Sequence, residues 1–243
     1  MPSIIYTHML SRISSFSGPL AKLFSKTNDV YTFVTQNTIL YLDAGQTASY
    51  PGTGTTWYDL SVQDNDSTLS NVTYNAGYLL FNGSNSQGSL TSSKYNVSYS
   101  GKTIFVSAYL EAHMTNATFR SFLGSSAGSR NFNFYLYRDA SGNYQLHYSA
   151  GGVGGFSSTI AITPGTWFTA AITHTTGGLG TYYFNGVAAG TDNYTFNQYL
   201  AGSTENVGKS DNFWYGRLAV IAVYKTVLSA SEILGNHRST LPY

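Results

Sequence analysis

The stretch that decides the fold is WYGRLAVIAVYKTVLSASEI, residues 214–233. Within it residues 218–224, LAVIAVY, are apolar at every position. Successive strand residues face opposite sides of a sheet, so a strand with no polar position is covered on both faces and sits in the middle of its sheet. The run has the length of a strand and is too short for a helix of its own. A few residues on, Ser229-Ala230-Ser231-Glu232 sets a Ser three positions before a Glu, the spacing at which each side chain satisfies the other's backbone N–H at a helix start. The sequence therefore predicts a central, doubly covered strand that runs into one short helix.

Upstream the signals are those of short strands separated by turn residues. Ile39-Leu40-Tyr41-Leu42 and Tyr78-Leu79-Leu80-Phe81 are apolar runs that end in Asp43-Ala44-Gly45 and Asn82-Gly83. Residues 103–110 alternate, with Ile104, Val106, Ala108 and Leu110 on one face. Residues 132–137 do the same, and Asp139-Ala140-Ser141-Gly142-Asn143 turns the chain into Tyr144-Gln145-Leu146-His147-Tyr148, a hairpin by pattern. Thr163-Pro164-Gly165 is a turn, and Thr181-Tyr182-Tyr183-Phe184 runs into Asn185-Gly186, the dipeptide suited to the positive φ angles of a type I′ hairpin.

Composition bounds the function. Charged residues are 9% of the chain and the formal net charge is +1, which gives no electrostatic footprint for nucleic acid. A hydrophobic fraction of 42%, with 16% aromatic, argues against a disordered chain. There is no Cys, which excludes disulfides, Cys-ligated zinc and thiol nucleophiles. No stretch reaches the ~18 apolar residues of a membrane span, and the N-terminus lacks the features of a secretory signal, so ordinary Sec export is not expected.

Taken in order, ILYLDAG (39–45), TTWYDLS (55–61), YLLFNGS (78–84), PGTWFTAAITH (164–174), TYYFNGV (181–187) and the segment 214–233 resemble the laminin-G-like, or concanavalin A-like lectin/glucanase, jelly roll. The resemblance implies an all-β, two-sheet antiparallel sandwich with one short C-terminal helix at its edge. Family members are mostly binding or adhesion modules for glycans or proteins, a minority are glycosidases, and similar domains occur on phage and other virion proteins. In many relatives the last long strand carries an acidic pair after its glycine. Here Gly216-Arg217-Leu218-Ala219-Val220 has none.

Residues 1–37 read differently from the domain at 38–243. Ile4, Ile5, Met9, Leu10, Ile13, Phe16, Leu20, Leu23 and Phe24 are spread through a segment with no acid before Asp29, and parts of them fit short helical stripes broken at Gly18-Pro19. A disordered leader, a segment packed on its own domain and a docking arm are the three readings. The docking arm, with Ile4, Ile5, Leu10, Ile13, Phe16, Leu20, Leu23 and Phe24 as its contacts, is the one adopted.

Glycosidases of this class need paired carboxylates flanking the scissile bond. The three Glu, at 111, 205 and 232, are each isolated, so no catalytic residue is nominated. Asp59, Asp64 and Asp66 share an oxygen-rich loop that could hold Ca²⁺, although turn residues of this kind also bond their own backbone. The loop Asp211-Asn212-Phe213-Trp214-Tyr215 offers aromatics beside polar groups, as sugar sites do. With Trp214 expected inside, Asp211, Asn212, Phe213 and Tyr215 are the candidate glycan or partner contacts.

The expectation is thus a non-enzymatic virion surface protein, a capsid decoration or fibre-type appendage. Residues 1–37 would dock onto a capsid or other virion protein in an oligomeric assembly, and the lectin-like domain would face glycans or a host surface. A cellular carbohydrate-binding module is the alternative and a glycosidase the third reading.

Overall fold

The computed structural model describes residues 31–90, 101–125, 132–150, 153–175, 177–192, 205–210 and 212–240. The arm contacts nominated between Ile4 and Phe24, and Asp211, lie outside the described residues.

Among the described residues sixteen strands form two antiparallel sheets. The first runs β14 (Val187–Thr191), β13 (Gly180–Phe184), β12 (Trp167–Thr175), β7 (Gly101–Leu110), β16 (Tyr215–Tyr224), β5 (Tyr78–Asn82), β4 (Thr73–Asn75), with β1 (Thr38–Asp43) also paired to β16. The second runs β11 (Val153–Phe156), β10 (Tyr144–Ala150), β9 (Phe132–Arg138), β8 (Thr118–Ser125), β15 (Glu205–Val207), β6 (Gln87–Leu90), β3 (Ser67–Ser70), β2 (Thr56–Trp57). Among the described residues the helix α1 (Ala230–Thr240) follows β16.

Strand β16 is central, as its composition requires. One edge pairs with β7 from Gly216↔Leu110 to Tyr224↔Thr103. The other edge serves two strands in succession: residues 215–218 pair with β5 and residues 220–224 with β1. The change of partner falls at a β-bulge between Leu218 and Val220, where the Ala219 carbonyl accepts the Ala44 N–H at 2.9 Å.

Between the sheets, Leu218, Ile221 and Val223 of β16 and Val106 of β7 meet Phe122 and Phe134 of the second sheet, all at 1% exposure or less. Burying side chains of this size stabilises the fold by about 1.5–3 kcal/mol each. The opposite face of β16 is covered as well. Val220, Ala222 and Tyr224 join Phe105, Leu228 and Ile233 in a second buried cluster beneath α1.

The helix is held at its start and at its middle. At its start the Ser229 N–H donates to Glu232 Oε2 at 2.7 Å and the Glu232 N–H donates to Ser229 Oγ at 3.3 Å, the reciprocal cap read from the sequence. Further along, fully buried Asn236 donates from Nδ2 to the Tyr224 hydroxyl at 2.9 Å and accepts the Val34 N–H at 2.8 Å. Tyr224 in turn donates to the Val34 carbonyl at 2.8 Å, closing a ring of three residues from three parts of the chain. Phe33 stacks on Tyr41 at 4.9 Å, so Phe33 and Val34, which the sequence reading assigns to the arm, pack on the sandwich. The Asn185-Gly186 turn has φ of 49° and 76°, positive at both positions as type I′ geometry demands.

Candidate functional site

Strand alternation sends Trp214 inward and Tyr215 outward. Trp214 is fully buried against Phe122, ring centroids 4.7 Å apart, while Tyr215 is 42% exposed. Phe213 is half-buried with the Lys209 ammonium 5.3 Å from its ring centre, and Asn212 is exposed. The loop is fixed from the second sheet by Arg120, whose Nη1 donates to the Phe213 carbonyl at 2.7 Å and to the Gly83 carbonyl at 3.2 Å. Burial lowers the Arg120 guanidinium below its ordinary pKa. Of the nominated contacts Asn212, Phe213 and Tyr215 are thus at the surface, but the ring cluster that stands out lies one alternate position further on.

Arg217 projects from the same face of β16 as Tyr215. Its guanidinium carbon lies 4.1 Å from the Tyr109 ring centre and 4.8 Å from that of Tyr78, and its Nη1 donates to the Tyr78 hydroxyl at 3.3 Å. Nε donates to Glu111 Oε1 at 2.7 Å, with both side chains about a quarter exposed. The hydrogen bond to Glu111 raises the Arg217 pKa, so this cation is permanent. Trp167, paired across the sheet with Tyr109, sets its ring edge-on to both Tyr109 and Tyr78 at 5.6 and 5.7 Å. The result is an open strip of half-buried aromatic rings with fixed donors and acceptors among them. Rings of this kind stack on the C–H face of a sugar, and the charged pair can meet its hydroxyls.

Sequence reasoning missed this strip. Tyr78, Tyr109, Glu111, Trp167 and Arg217 are distant in the chain and meet only through strand register. The one local signal was Tyr215-Gly216-Arg217, two large polar side chains at alternate positions just before an apolar run.

Calcium in the Asp59, Asp64 and Asp66 loop, raised as possible, is overturned. Asp59 is 7% exposed and its carboxylate is spent on the chain itself: Oδ1 accepts the Tyr41 and Ser61 N–H groups, and Oδ2 accepts the Asn65 N–H and the Ser61 hydroxyl. Asp66 Oδ1 accepts the Asp59 N–H at 2.8 Å. Among the described residues no group of three or more His, Cys, Asp or Glu could hold a metal ion. These acids fold the loop and leave too few free oxygens for Ca²⁺, which takes 6–8.

Three further titratable groups are displaced by their surroundings. Burial lowers His147 and His174 to about 4, with the Lys102 charge adding to the effect on His174, so both rings are neutral at pH 7. Lys102 itself is pushed well below its ordinary pKa by burial, opposed by Glu205. On the outer face of the second sheet His147 joins Phe119, Tyr137 and Phe156 in a separate ring cluster, with Phe119 stacked on Tyr137 at 4.3 Å.

The fold is shared with proteins of known structure. The chain is similar to domain 4 of AbnA, a GH43 extracellular arabinanase from Geobacillus stearothermophilus, solved in complex with arabinotriose, with a TM-score of 0.65 and 16% identity over 83% of this chain and 98% of that one. It is also similar to a heptameric SAP-like pentraxin from Limulus polyphemus, with a TM-score of 0.54 and 16% identity over 65% and 79%. A third likeness is to the Trypanosoma rangeli sialidase, with a TM-score of 0.61 and 16% identity over 85% of this chain and only 33% of that one. At such identities the likeness is one of fold. No curated protein matches the chain in sequence. The family profile of the concanavalin A-like lectin/glucanases matches residues 82–234, which include both central strands β7 and β16 and the start of α1, and the chain therefore belongs to the concanavalin A-like lectin/glucanase superfamily.

Proposed function

We propose that this domain is a non-catalytic carbohydrate-binding module that grips a glycan on the open strip of the first sheet. The observation that carries the reading is Arg217, held between the rings of Tyr109 and Tyr78 and clamped by Glu111, with Trp167 alongside. Its donors are locked in place before a ligand arrives, so little ordering cost falls on binding. The carboxylates support the non-catalytic reading: Glu111 is engaged by Arg217, Glu232 caps α1 and Asp59 is bonded to the backbone. The AbnA domain, solved with arabinotriose, supports the ligand class. A glycan array followed by calorimetry with arabinotriose and other neutral oligosaccharides tests the proposal. Binding without release of shorter sugars is the expected result. Absence of binding across the array, or hydrolysis lost on Glu111→Gln, would overturn it.

A second reading adds a location. The stripes Met9, Ile13, Phe16 and Leu20, Leu23, Phe24 suit an arm that docks this module onto a virion or another multi-copy assembly. Mass spectrometry of purified particles made with the full chain and with residues 1–31 deleted tests it. Equal incorporation of the two removes the docking role.

A further inference from the structure

Beside the strip the same outer face sinks into a cavity of about 400 Å³, within the ~300–1,000 Å³ usual for small-molecule sites. Ala219 and Val220 line it from β16, Tyr41 and Asp43 from β1, and Ser239 and Thr240 from the end of α1. It adjoins the strip at two points of the chain. Ala219 is the next outward residue after Arg217, and Gly77, which also lines the cavity, precedes Tyr78. Gly77, with φ of 93°, and Gly45 stand face to face, a Cβ on Gly77 falling 3.7 Å from the Gly45 Cα, so two residues without side chains keep this wall open.

The polar groups in the cavity are prearranged. Gln46 Nε2 donates to the Tyr41 hydroxyl and to Asp43 Oδ2, both at 2.7 Å, Tyr41 donates to the same Oδ2 at 3.0 Å, and the Gly45 N–H donates to Asp43 Oδ1 at 2.9 Å. With both Gln46 amide contacts donated inward, its carbonyl oxygen is the group left to accept from a ligand. The Asp43 oxygens retain lone pairs, and the Thr240 carbonyl at the end of α1, which accepts the Ser107 hydroxyl at 3.3 Å, has a second lone pair. The helix C-terminus also carries partial negative charge. Phe33, stacked on Tyr41, supplies an aromatic wall. Acceptors in excess, a negative local field and one ring face call for an uncharged ligand rich in hydroxyl donors. An anionic sugar would meet Asp43 and the helix end with like charge.

We infer that this cavity is the subsite for the terminal residue of a neutral glycan whose following residues lie on the strip. The inference rests on the strip being the binding surface. Gln46, Asp43 and the helix end receive the hydroxyls of the end residue, and Phe33 packs against its C–H face. The module then recognises chain ends and not the interior of a polymer.

The test uses the full chain and calorimetry with arabinotriose, xylotriose, cellotriose and trigalacturonate. Wild type binds a neutral trisaccharide and not trigalacturonate. Ser239→Trp, which fills the cavity from an exposed helix position, and Gln46→Ala each weaken that binding about tenfold, as does Trp167→Ala on the strip. A long polymer of the same sugar competes according to its concentration of chain ends. If Trp167→Ala loses binding while Ser239→Trp and Gln46→Ala bind as wild type, or if competition follows total residues, the cavity has no such role and the strip survives. If wild type binds none of the sugars, the reading of the strip falls, and this inference falls with it. Circular dichroism on each variant confirms that the fold is retained.

Discussion

The outer face of the first sheet has two halves built on the same strands, and they have opposite fates. Past the bulge at Ala219, β16 turns Val220, Ala222 and Tyr224 outward, and α1 with Phe33 and Val34 closes over them. Before the bulge it turns Tyr215 and Arg217 outward, and nothing among the described residues buries them to that degree. The covered half resolves its one polar set, Asn236, Tyr224 and Val34, internally. The open half arranges its polar set around a cation that keeps a quarter of its surface in water. The covered half is finished with apolar residues and a closed hydrogen-bond ring, whereas the open half, proposed above for recognition, keeps rings and charges that are fixed but accessible.

Substitutions can break this contrast. The largest effect is expected at Trp214→Ala, which removes a fully buried ring from between the sheets and costs about 3–5 kcal/mol. Its neighbour Tyr215→Ala should change stability by no more than about 0.5 kcal/mol, as exposed positions do. Denaturant melts of the pair check both values, and equal losses would mean that the open half is a second core. Next comes Gly186→Val under the covered half. It places a β-branched residue at φ 76° and sets a Cβ 2.9 Å from Leu234 of α1, for a loss of about 1–3 kcal/mol by thermal melting. Asn236→Ala strands the Val34 N–H beneath the helix and takes from the Tyr224 hydroxyl the donor it accepts, and a buried group left unsatisfied costs about 1–3 kcal/mol. Loss of amide protection at residue 34 in hydrogen exchange would identify the cause.

Acid acts through two histidine rings. His147 and His174 are lowered to about 4 in the folded chain, below the unfolded value of about 6.5. The unfolded chain therefore binds more protons between these values, and stability present above pH 6.5 is lost as the pH falls toward 4. His174→Gln should flatten that limb of the stability profile. Trp167→Ala on the open half sharpens the contrast in another way: its half-buried ring packs against the second cluster, so it should cost less stability than Trp214→Ala but more than Tyr215→Ala, while glycan binding drops.

Legibility followed the range of the interactions. The doubly covered β16 is readable because all seven positions of residues 218–224 are apolar, and the helix cap and the Asn185-Gly186 turn are readable because each is decided within four residues. Arg217 was noted only as a missing acid, since Tyr109, Glu111 and Trp167 reach it through register that no local pattern encodes. The Asp59 loop failed for a different reason. Carboxylates that bond their own backbone and carboxylates that wait for a cation have the same spelling, and only the N–H groups of Tyr41, Ser61 and Asn65 distinguish them.

The pairing of β1 with β16 also has a mechanical meaning. Thr38 lies opposite Tyr224, so the chain enters and leaves the sandwich side by side at one end of an antiparallel pair. Tension applied between residues 32 and 240 would not drag the two strands past each other. It would load the Asn236 to Val34 hydrogen bond first and then peel β1 away one rung at a time, starting at Thr38. The strip on residues 215–218 lies on the stretch of β16 held by β5 and β7, outside that unzipping path. On the proposed binding mode, a glycan there would lose its end residue's contacts to β1, Phe33 and α1 while the rings of the strip stayed in register.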